Sequence, residues 1–363
     1  MVQPARAYLD YNASAPIRAA AKARVLEALE VTSNPSSLHY AGRMGRKFIE
    51  DARREIGSIF DVDAAQIIFT SSATEANNTI LKGFHGRRIL VSATDHLSVT
   101  ASGASGIAFI PVDEEGLVNL KALDELLRSG DVGLVSVMMV NNETGIVQPV
   151  AEIANMAHKY GALFHSDCVQ AVGRIPFTRA SIEADFSTIS AHKLGGALGA
   201  GAIIFKARTP VPKLIEGGGQ EKRQRAGTEN FAAIYAFGAA CAEAANGINE
   251  FQKLNNFRER IELKLTADGY KIFGSNAPRV ANTICFAHGM KDSQILLMGF
   301  DLDGVALSSG SACSSGAVTP SHVLKAMGAS DSAMRSALRL SMGYKTTDED
   351  VDLFLKIWDK LRV

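Results

Sequence analysis

Lys193 closes the stretch Phe186-Ser-Thr-Ile-Ser-Ala-His-Lys and is followed by Gly195, Gly196, Gly199 and Gly201. Residues 186–190 are apolar and β-favouring, the glycines break any helix, and Ala202-Ile-Ile-Phe resumes as a second apolar strand. This places His192 and Lys193 on a turn between two buried strands, where a lysine has no packing role. A lysine that loses solvation there becomes a better nucleophile and can form a Schiff base with a carbonyl cofactor. A lone lysine in a hairpin is more often simply exposed, so its partners decide.

Those partners are spread over the chain. Asp167 follows the strand-like Ala162-Leu-Phe-His and is trailed by Gln170. An acid at the C-terminal end of a strand points into the crevice where α/β sheets bind ligands. It could pair with a protonated pyridine nitrogen, or merely cap a helix. Ser72-Ala73-Thr74 lies where a strand gives way to a helix, which makes either an anion site or an ordinary N-cap. His96 follows a strand and could lie on an aromatic ring or be structural. Asn142 follows the most apolar strand, where an amide could bond a ring hydroxyl or a substrate carboxylate. Cys313 sits inside Ser308-Ser-Gly-Ser-Ala-Cys-Ser-Ser-Gly-Ala-Val-Thr-Pro, whose small residues cannot form a core. An exposed, mobile loop is expected there, and with it a reactive thiol. Cys241 and Cys285 lie in apolar segments and read as buried, and Cys168 is best read as structural too.

Strand and helix alternation must position these groups. Strands are expected at 88–92, 107–112, 134–140, 163–167, 186–190 and 202–205, with helices near 119–129 and 149–160. That alternation implies an α/β fold with a large, mainly parallel sheet covered on both faces. A long helical segment over 230–267 should lead to short strands at 270–273, 282–286, 305–308 and 337–341 and a final helix at 347–361. The expected division is a large domain of residues 16–250 and a smaller α+β domain of residues 1–15 and 251–363, which carries the cysteine loop.

The 363 residues are 47% hydrophobic and 21% charged, with zero formal net charge. Such a balance suits a soluble enzyme and gives no basic field for nucleic acid or an anionic membrane. No apolar run reaches membrane-spanning length, and Met1-Val-Gln-Pro-Ala-Arg lacks a signal-peptide core, so the cytoplasm is the expected location. The four cysteines show neither metal-ligand nor disulfide spacing.

Taken together, the motifs resemble the cysteine desulfurases, pyridoxal-phosphate enzymes of the class V aminotransferase superfamily with fold type I. The resemblance spans essentially the whole chain. It rests on Tyr8-Leu-Asp-Tyr-Asn-Ala, Asn34-Pro-Ser-Ser-Leu-His, Thr70-Ser-Ser-Ala-Thr-Glu-Ala-Asn, Val140-Asn-Asn-Glu-Thr-Gly, His165-Ser-Asp-Cys-Val-Gln, Ser190-Ala-His-Lys, Arg225-Ala-Gly-Thr-Glu-Asn, Ser308-Ser-Gly-Ser-Ala-Cys and Ala337-Leu-Arg-Leu-Ser. It implies that Lys193 binds pyridoxal phosphate covalently, His96 stacks on the ring and shuttles protons, and Asp167 pairs with the ring nitrogen. Gln170 would contact the ring hydroxyl with Asn142 beside it, and Ala73, Thr74, Ser190 and His192 would hold the phosphate. Thr228 would reach the phosphate of a neighbouring subunit, which implies a homodimer. Arg339, with Asn142, would bind the carboxylate of L-cysteine, and Cys313 would take its sulfur as a persulfide and leave L-alanine. The length of the cysteine loop looks like the nitrogen-fixation and iron–sulfur housekeeping branch, so a scaffold or sulfur-acceptor protein is an expected partner. A chain ending soon after its last helix is expected to lack the extension some relatives use to dock that scaffold. Asp95 stands where Glu commonly precedes the stacking histidine. Other class V activities, such as selenocysteine lyase or small amino-acid transamination, and an inactive sulfur-relay protein are the alternatives.

Overall fold

The computed structural model describes residues 6–309 and 320–361; Cys313 lies outside the described residues. A short strand, β1 (Ala7–Tyr8), opens the chain. β2 (Ile67–Thr70), β3 (Arg88–Ser92), β4 (Ile107–Ile110), β5 (Val132–Ser136), β6 (Leu163–Asp167), β7 (Phe186–Ser190) and β8 (Gly201–Phe205) then form a seven-stranded sheet in the order β2-β8-β7-β6-β5-β3-β4. β8 runs antiparallel to both neighbours, and every other pair is parallel. Residues of β5 and β7 are buried throughout, as expected of strands covered on both faces, so they read as continuous runs rather than alternations. One face packs against helices Tyr40–Phe60 and Phe231–Asn246 through Ile49, Ile56, Phe60 and Phe237. The other packs Ile80, Leu81, Val99 and Phe186. Because β3, β5, β6 and β7 are parallel, their C-terminal ends share one edge, which gathers residues 93–98, 137–143, 167–170 and 190–193.

The rest of the chain adds β9 (Lys271–Ile272), β10 (Thr283–Ala287), β11 (Val305–Ala306), β12 (Ser308–Ser309) and β13 (Leu338–Ser341). An antiparallel sheet runs β12-β13-β10-β9, while β11 pairs in parallel with β1. The N-terminal arm thus returns to the C-terminal part of the chain, with Asp10 bridging to Ser341. Helix Asp348–Leu361 buries Val351, Phe354, Ile357 and Trp358 at helical spacing. Trp358 packs with Phe300, Phe354, Phe286 and Tyr270, and its Nε1 donates to Asp268 Oδ2 at 2.8 Å.

Two sequence expectations change. The helical segment 230–267 is three pieces, Phe231–Asn246, Ile248–Gln252 and Leu254–Ala267, with a 61° bend at the first break. Gly247 caps the first piece, and Gln252 is drawn aside to donate from Nε2 to Arg174 O at 2.7 Å. The expected strand 134–140 spans only 132–136, and the Met138 amide goes to the Asp95 side chain. Among the described residues, no single helix is long and apolar enough to cross a membrane.

Trp358→Ala should cost about 3–5 kcal/mol by removing a fully buried aromatic together with the indole N–H that donates to Asp268. Equilibrium urea unfolding monitored by circular dichroism measures the loss, and a cost below about 1 kcal/mol contradicts this packing.

Candidate active site

Lys193 ends a single 3₁₀ turn, Ala191–Lys193, that follows β7 directly. Gly195, at φ +86°, lets the chain reverse under the arm; a Cβ there would lie 2.8 Å from Pro16 O. The Nζ of Lys193 donates to Asn12 O at 2.6 Å and Ala13 O at 2.8 Å. The arm therefore supplies the acceptors that hold the amine in place.

That amine opens on a cavity of about 480 Å³ at the C-terminal edge of the parallel strands. Its wall includes ten of the residues singled out in the sequence: Ala73, Thr74, His96, Asn142, Asp167, Gln170, Ser190, His192, Lys193 and Arg339. Thr228 is exposed and lines a separate cavity of about 300 Å³ beside Ser71 and Arg225. Within one chain it is not part of the main site.

Helix Ala73–Lys82 begins at the cavity, and its N-cap Ser72 accepts from the Glu75 amide at 3.2 Å. The amides of the first turn and the helix dipole can hold an anion there. Gly201 makes room for this turn, since a Cβ would meet the Ser72 carbonyl carbon at 2.5 Å. His192 lies beside the turn, and burial, then Lys193, lowers its pKa to about 4. A neutral imidazole there offers one N–H rather than a cation.

Asp167 is buried at the end of β6. Its Oδ2 accepts from Asn77 Nδ2 at 2.8 Å and its Oδ1 from the Val169 amide at 3.0 Å. The second proton of the Asn77 amide reaches Ser98 Oγ at 2.8 Å, and Ser98 Oγ meets His96 Nδ1 at 2.8 Å. His96 Nδ1 also accepts the Ser98 amide at 3.0 Å. That nitrogen is therefore an acceptor, and neutral His96 carries its proton on Nε2. Burial lowers the His96 pKa, with Lys193 and His322 acting in the same sense and Asp167 against it.

Arg339 leaves β13 with Nη2 donating to Asp10 Oδ1 at 2.7 Å and Nη1 to Asn142 O at 3.2 Å. Its Nε is buried without a partner, as is Gln170 Oε1. An orphaned donor and an orphaned acceptor on one wall fit a ligand that brings both a carboxylate and a hydroxyl. The anion-binding turn, the buried carboxylate, the imidazole and the amine complete a donor set that could hold pyridoxal phosphate.

The same wall holds several groups that carry no individual signal in the sequence. Asn12, Asn77, Ser98, Glu143 and His322 all line the cavity or bond its residues. Asn12 and Asn77 stand inside the recognisable runs Tyr8-Leu-Asp-Tyr-Asn and Thr-Glu-Ala-Asn, but their pairings at distances of 181 and 90 residues leave no local signal. Cys168, Cys241 and Cys285 are buried, and burial pushes the Cys168 thiol up to about 12, which keeps it inert.

Glu143 accepts from Ser321 Oγ at 2.5 Å, and burial raises its pKa from 4.5 to about 7. The folded chain holds this proton more tightly than the unfolded one, so the stability involved is full below about pH 4.5 and is lost as pH rises through about 7. His192 contributes oppositely, losing stability as pH falls from 6.5 towards 4. Glu143→Gln should therefore gain stability relative to wild type as pH rises through the Glu143 window, by a change on the order of 3 kcal/mol in urea unfolding. A difference that is flat with pH contradicts the assignment.

Residues 7–354 match the family model described as aminotransferase class-V. Cysteine desulfurase IscS of Dictyoglomus turgidum is 36% identical, over 98% of this chain and 94% of its own length. A cysteine desulfurase of Cereibacter sphaeroides is 37% identical, over 97% of this chain and 94% of its own. The X-ray structure of a NifS-like protein from Rickettsia africae superposes with a TM-score of 0.92 at 38% identity, covering 98% of each chain. With the seven-stranded sheet and the gathered strand ends already in place, these matches show that the chain belongs to the aminotransferase class-V family, among its cysteine desulfurases.

Proposed function

We propose that this chain is a pyridoxal-phosphate-dependent cysteine desulfurase that converts L-cysteine to L-alanine and transfers the sulfur to Cys313. The observation that carries the reading is a single cavity that holds the Lys193 amine, the Asp167 carboxylate, the His96 imidazole and an Arg339 Nε with no partner of its own. When bound, pyridoxal phosphate supplies an electron-withdrawing ring that weakens bonds at the substrate's α and β carbons.

The chain's own residues do the rest. Asn12 and Ala13 carbonyls aim the Lys193 amine, which takes and returns the proton at the substrate α carbon. Asp167, locked by Asn77 and the Val169 amide, would pair with the ring nitrogen, and Gln170 Oε1 would accept from the ring hydroxyl. Ala73, Thr74, Ser190 and His192 would hold the phosphate. Arg339 offers Nε to the substrate carboxylate with Asn142 beside it, while Asp10 fixes the far edge of the guanidinium. His96 holds its proton at Nε2, where it can protonate a leaving or developing centre. Overall, the substrate's carbon–sulfur bond breaks, a sulfur–sulfur bond forms on Cys313, and a proton takes sulfur's place on the β carbon. The persulfide then serves an acceptor in iron–sulfur assembly or thiolation.

We divide the chain into a large domain of residues 16–250 and a smaller one of residues 1–15 and 251–363, and place the enzyme in the cytoplasm as a homodimer. An exposed Thr228, held beside the anion-binding turn by the Arg225–Glu75 ion pair at 2.8 Å, supports a site shared between two copies. Thr228→Ala should weaken cofactor retention by about 1.5–3 kcal/mol, measured by equilibrium dialysis of pyridoxal phosphate. A fully active monomer in sedimentation at assay concentration contradicts the shared site.

Purified protein should be yellow, and borohydride should bleach the colour in wild type but find no covalent link in Lys193→Ala. Cys313→Ser should keep the cofactor and bind L-cysteine yet release almost no alanine or sulfide, because a hydroxyl cannot accept sulfur as a persulfide. Wild-type turnover by Cys313→Ser would sink the desulfurase reading in favour of a lyase or transaminase.

A further inference from the structure

Beneath the cavity, a line of buried side chains joins two acids. Asp167 receives Asn77 Nδ2, and Asn77 Oδ1 in turn accepts from Thr188 Oγ1 at 2.6 Å. Thr188 Oγ1 lies 3.3 Å from His165 Nε2, and His165 Nδ1 lies 2.9 Å from Ser136 Oγ. Ser136 Oγ is 3.3 Å from Asp95 Oδ2, while Asp95 Oδ1 accepts the Met138 amide at 2.7 Å. Each of these side chains is buried.

Counting protons gives the line a direction. Both hydrogens of the Asn77 amide are committed, to Asp167 and to Ser98, so its oxygen must accept the Thr188 hydroxyl proton. Thr188 has then spent its only proton, and His165 must donate to it from Nε2. Burial drives the His165 pKa down to about 3, so the ring is neutral and its Nδ1 is an acceptor. Ser136 must therefore give its one proton to His165. Nothing remains for Ser136 to offer Asp95, and two acceptors would face each other unless Asp95 carries a proton.

We infer that Asp95 is a carboxylic acid donating from Oδ2 to Ser136, and that it is a positioning residue whose one-way hydrogen-bond chain ends on Asp167. Burial and the nearby Asp167 both raise the Asp95 pKa well above the ordinary carboxylate value. The remaining titratable groups around it are His165, the adjacent His96, and His322, whose Nε2 meets the Asp95 main-chain oxygen at 2.9 Å. The inference rests on Asp167 being the partner of the ring nitrogen. A neutral Asp95 leaves one anion beneath the ring rather than two, and fixes the Asn77 amide with its N–H groups toward Asp167.

Infrared difference spectroscopy of the purified holoenzyme against Asp95→Asn reads the proton directly. A protonated carboxylic-acid band should be present in wild type at neutral pH and absent from the variant. Asparagine can reproduce both bonds, donating from Nδ2 to Ser136 and accepting from Met138. Asp95→Asn should therefore keep the wild-type unfolding midpoint and the wild-type pH titration of the cofactor's visible band. Asp95→Leu, which removes the terminal donor, should shift that titration by about one pH unit, a tenfold change in the proton equilibrium. A missing acid band overturns the inference, as does an Asp95→Leu titration identical to wild type or an Asp95→Asn titration that follows Asp95→Leu. Should Asp95→Leu not fold, the infrared band and Asp95→Asn still decide. A protein that takes up no pyridoxal phosphate overturns the cofactor reading, while the infrared band continues to report on Asp95.

Discussion

Asn12 is where the arm, the lysine turn and the C-terminal sheet meet. Its carbonyl accepts from Lys193 Nζ and Gln170 Nε2, and its side-chain oxygen accepts from Arg174 Nη1 at 2.6 Å. Its amide nitrogen donates to Asn142 O and Thr283 Oγ1, and its main-chain N–H donates to Ser341 Oγ. Every polar atom of the residue is used, and the residue itself is buried. A buried group left unpaired costs about 1–3 kcal/mol, and more when the partner is charged. Arg174 is such a partner: burial lowers its pKa to about 9, and its Nη1 donates to Asn12 Oδ1. The arm is thus held by polar satisfaction at its tip and by the β1–β11 pairing at its root.

The same logic runs through the floor of the site. A polar network in a low-dielectric interior either satisfies all its members or destabilises the fold. Here the chain from Asp95 to Asp167 assigns one donor to each acceptor, and the branch through Ser98 fixes the tautomer of His96. Sheet geometry makes this arrangement available, because residues in register on β5, β6 and β7 stand side by side at the strand ends. Ser136 pairs with His165 across β5 and β6, and Asp167 pairs with Thr188 across β6 and β7. The strand ends and the turn after β7 therefore carry Asp167, Ser190 and Lys193, while the arm brings Asn12 and β13 brings Arg339 to the same cavity.

Much of this was legible in the sequence, and for physical reasons. Strand β7, the glycines after Lys193 and strand β8 announce a tight turn between buried strands, and the structure places a 3₁₀ turn there. Asp167 and Ser72 read correctly as strand-end and helix-start residues because hydrophobic periodicity sets those boundaries. Periodicity cannot show what crosses between elements. Nothing local links Asn12 to Lys193, Asn77 to Asp167 or Glu143 to Ser321, and the guanidinium of Arg339 gives no hint that Asp10 already takes one of its edges. The break at Gly247 was missed because the helical pattern continues on both sides of it. Leu198, in the glycine-rich turn after the lysine, is an exposed apolar side chain for which the single chain offers no packing reason.

In the proposed reaction, sulfur leaves L-cysteine for one particular thiol. Peptide mass mapping after a single turnover with sulfur-labelled L-cysteine, with free thiols and persulfides alkylated under non-reducing conditions, tests it directly. One labelled sulfur should appear on the peptide containing Cys313, matched by one equivalent of alanine, while Cys168, Cys241 and Cys285 stay unlabelled in their buried sites. Alanine released with no labelled sulfur on Cys313, or with the label on a buried cysteine, would contradict sulfur transfer to Cys313.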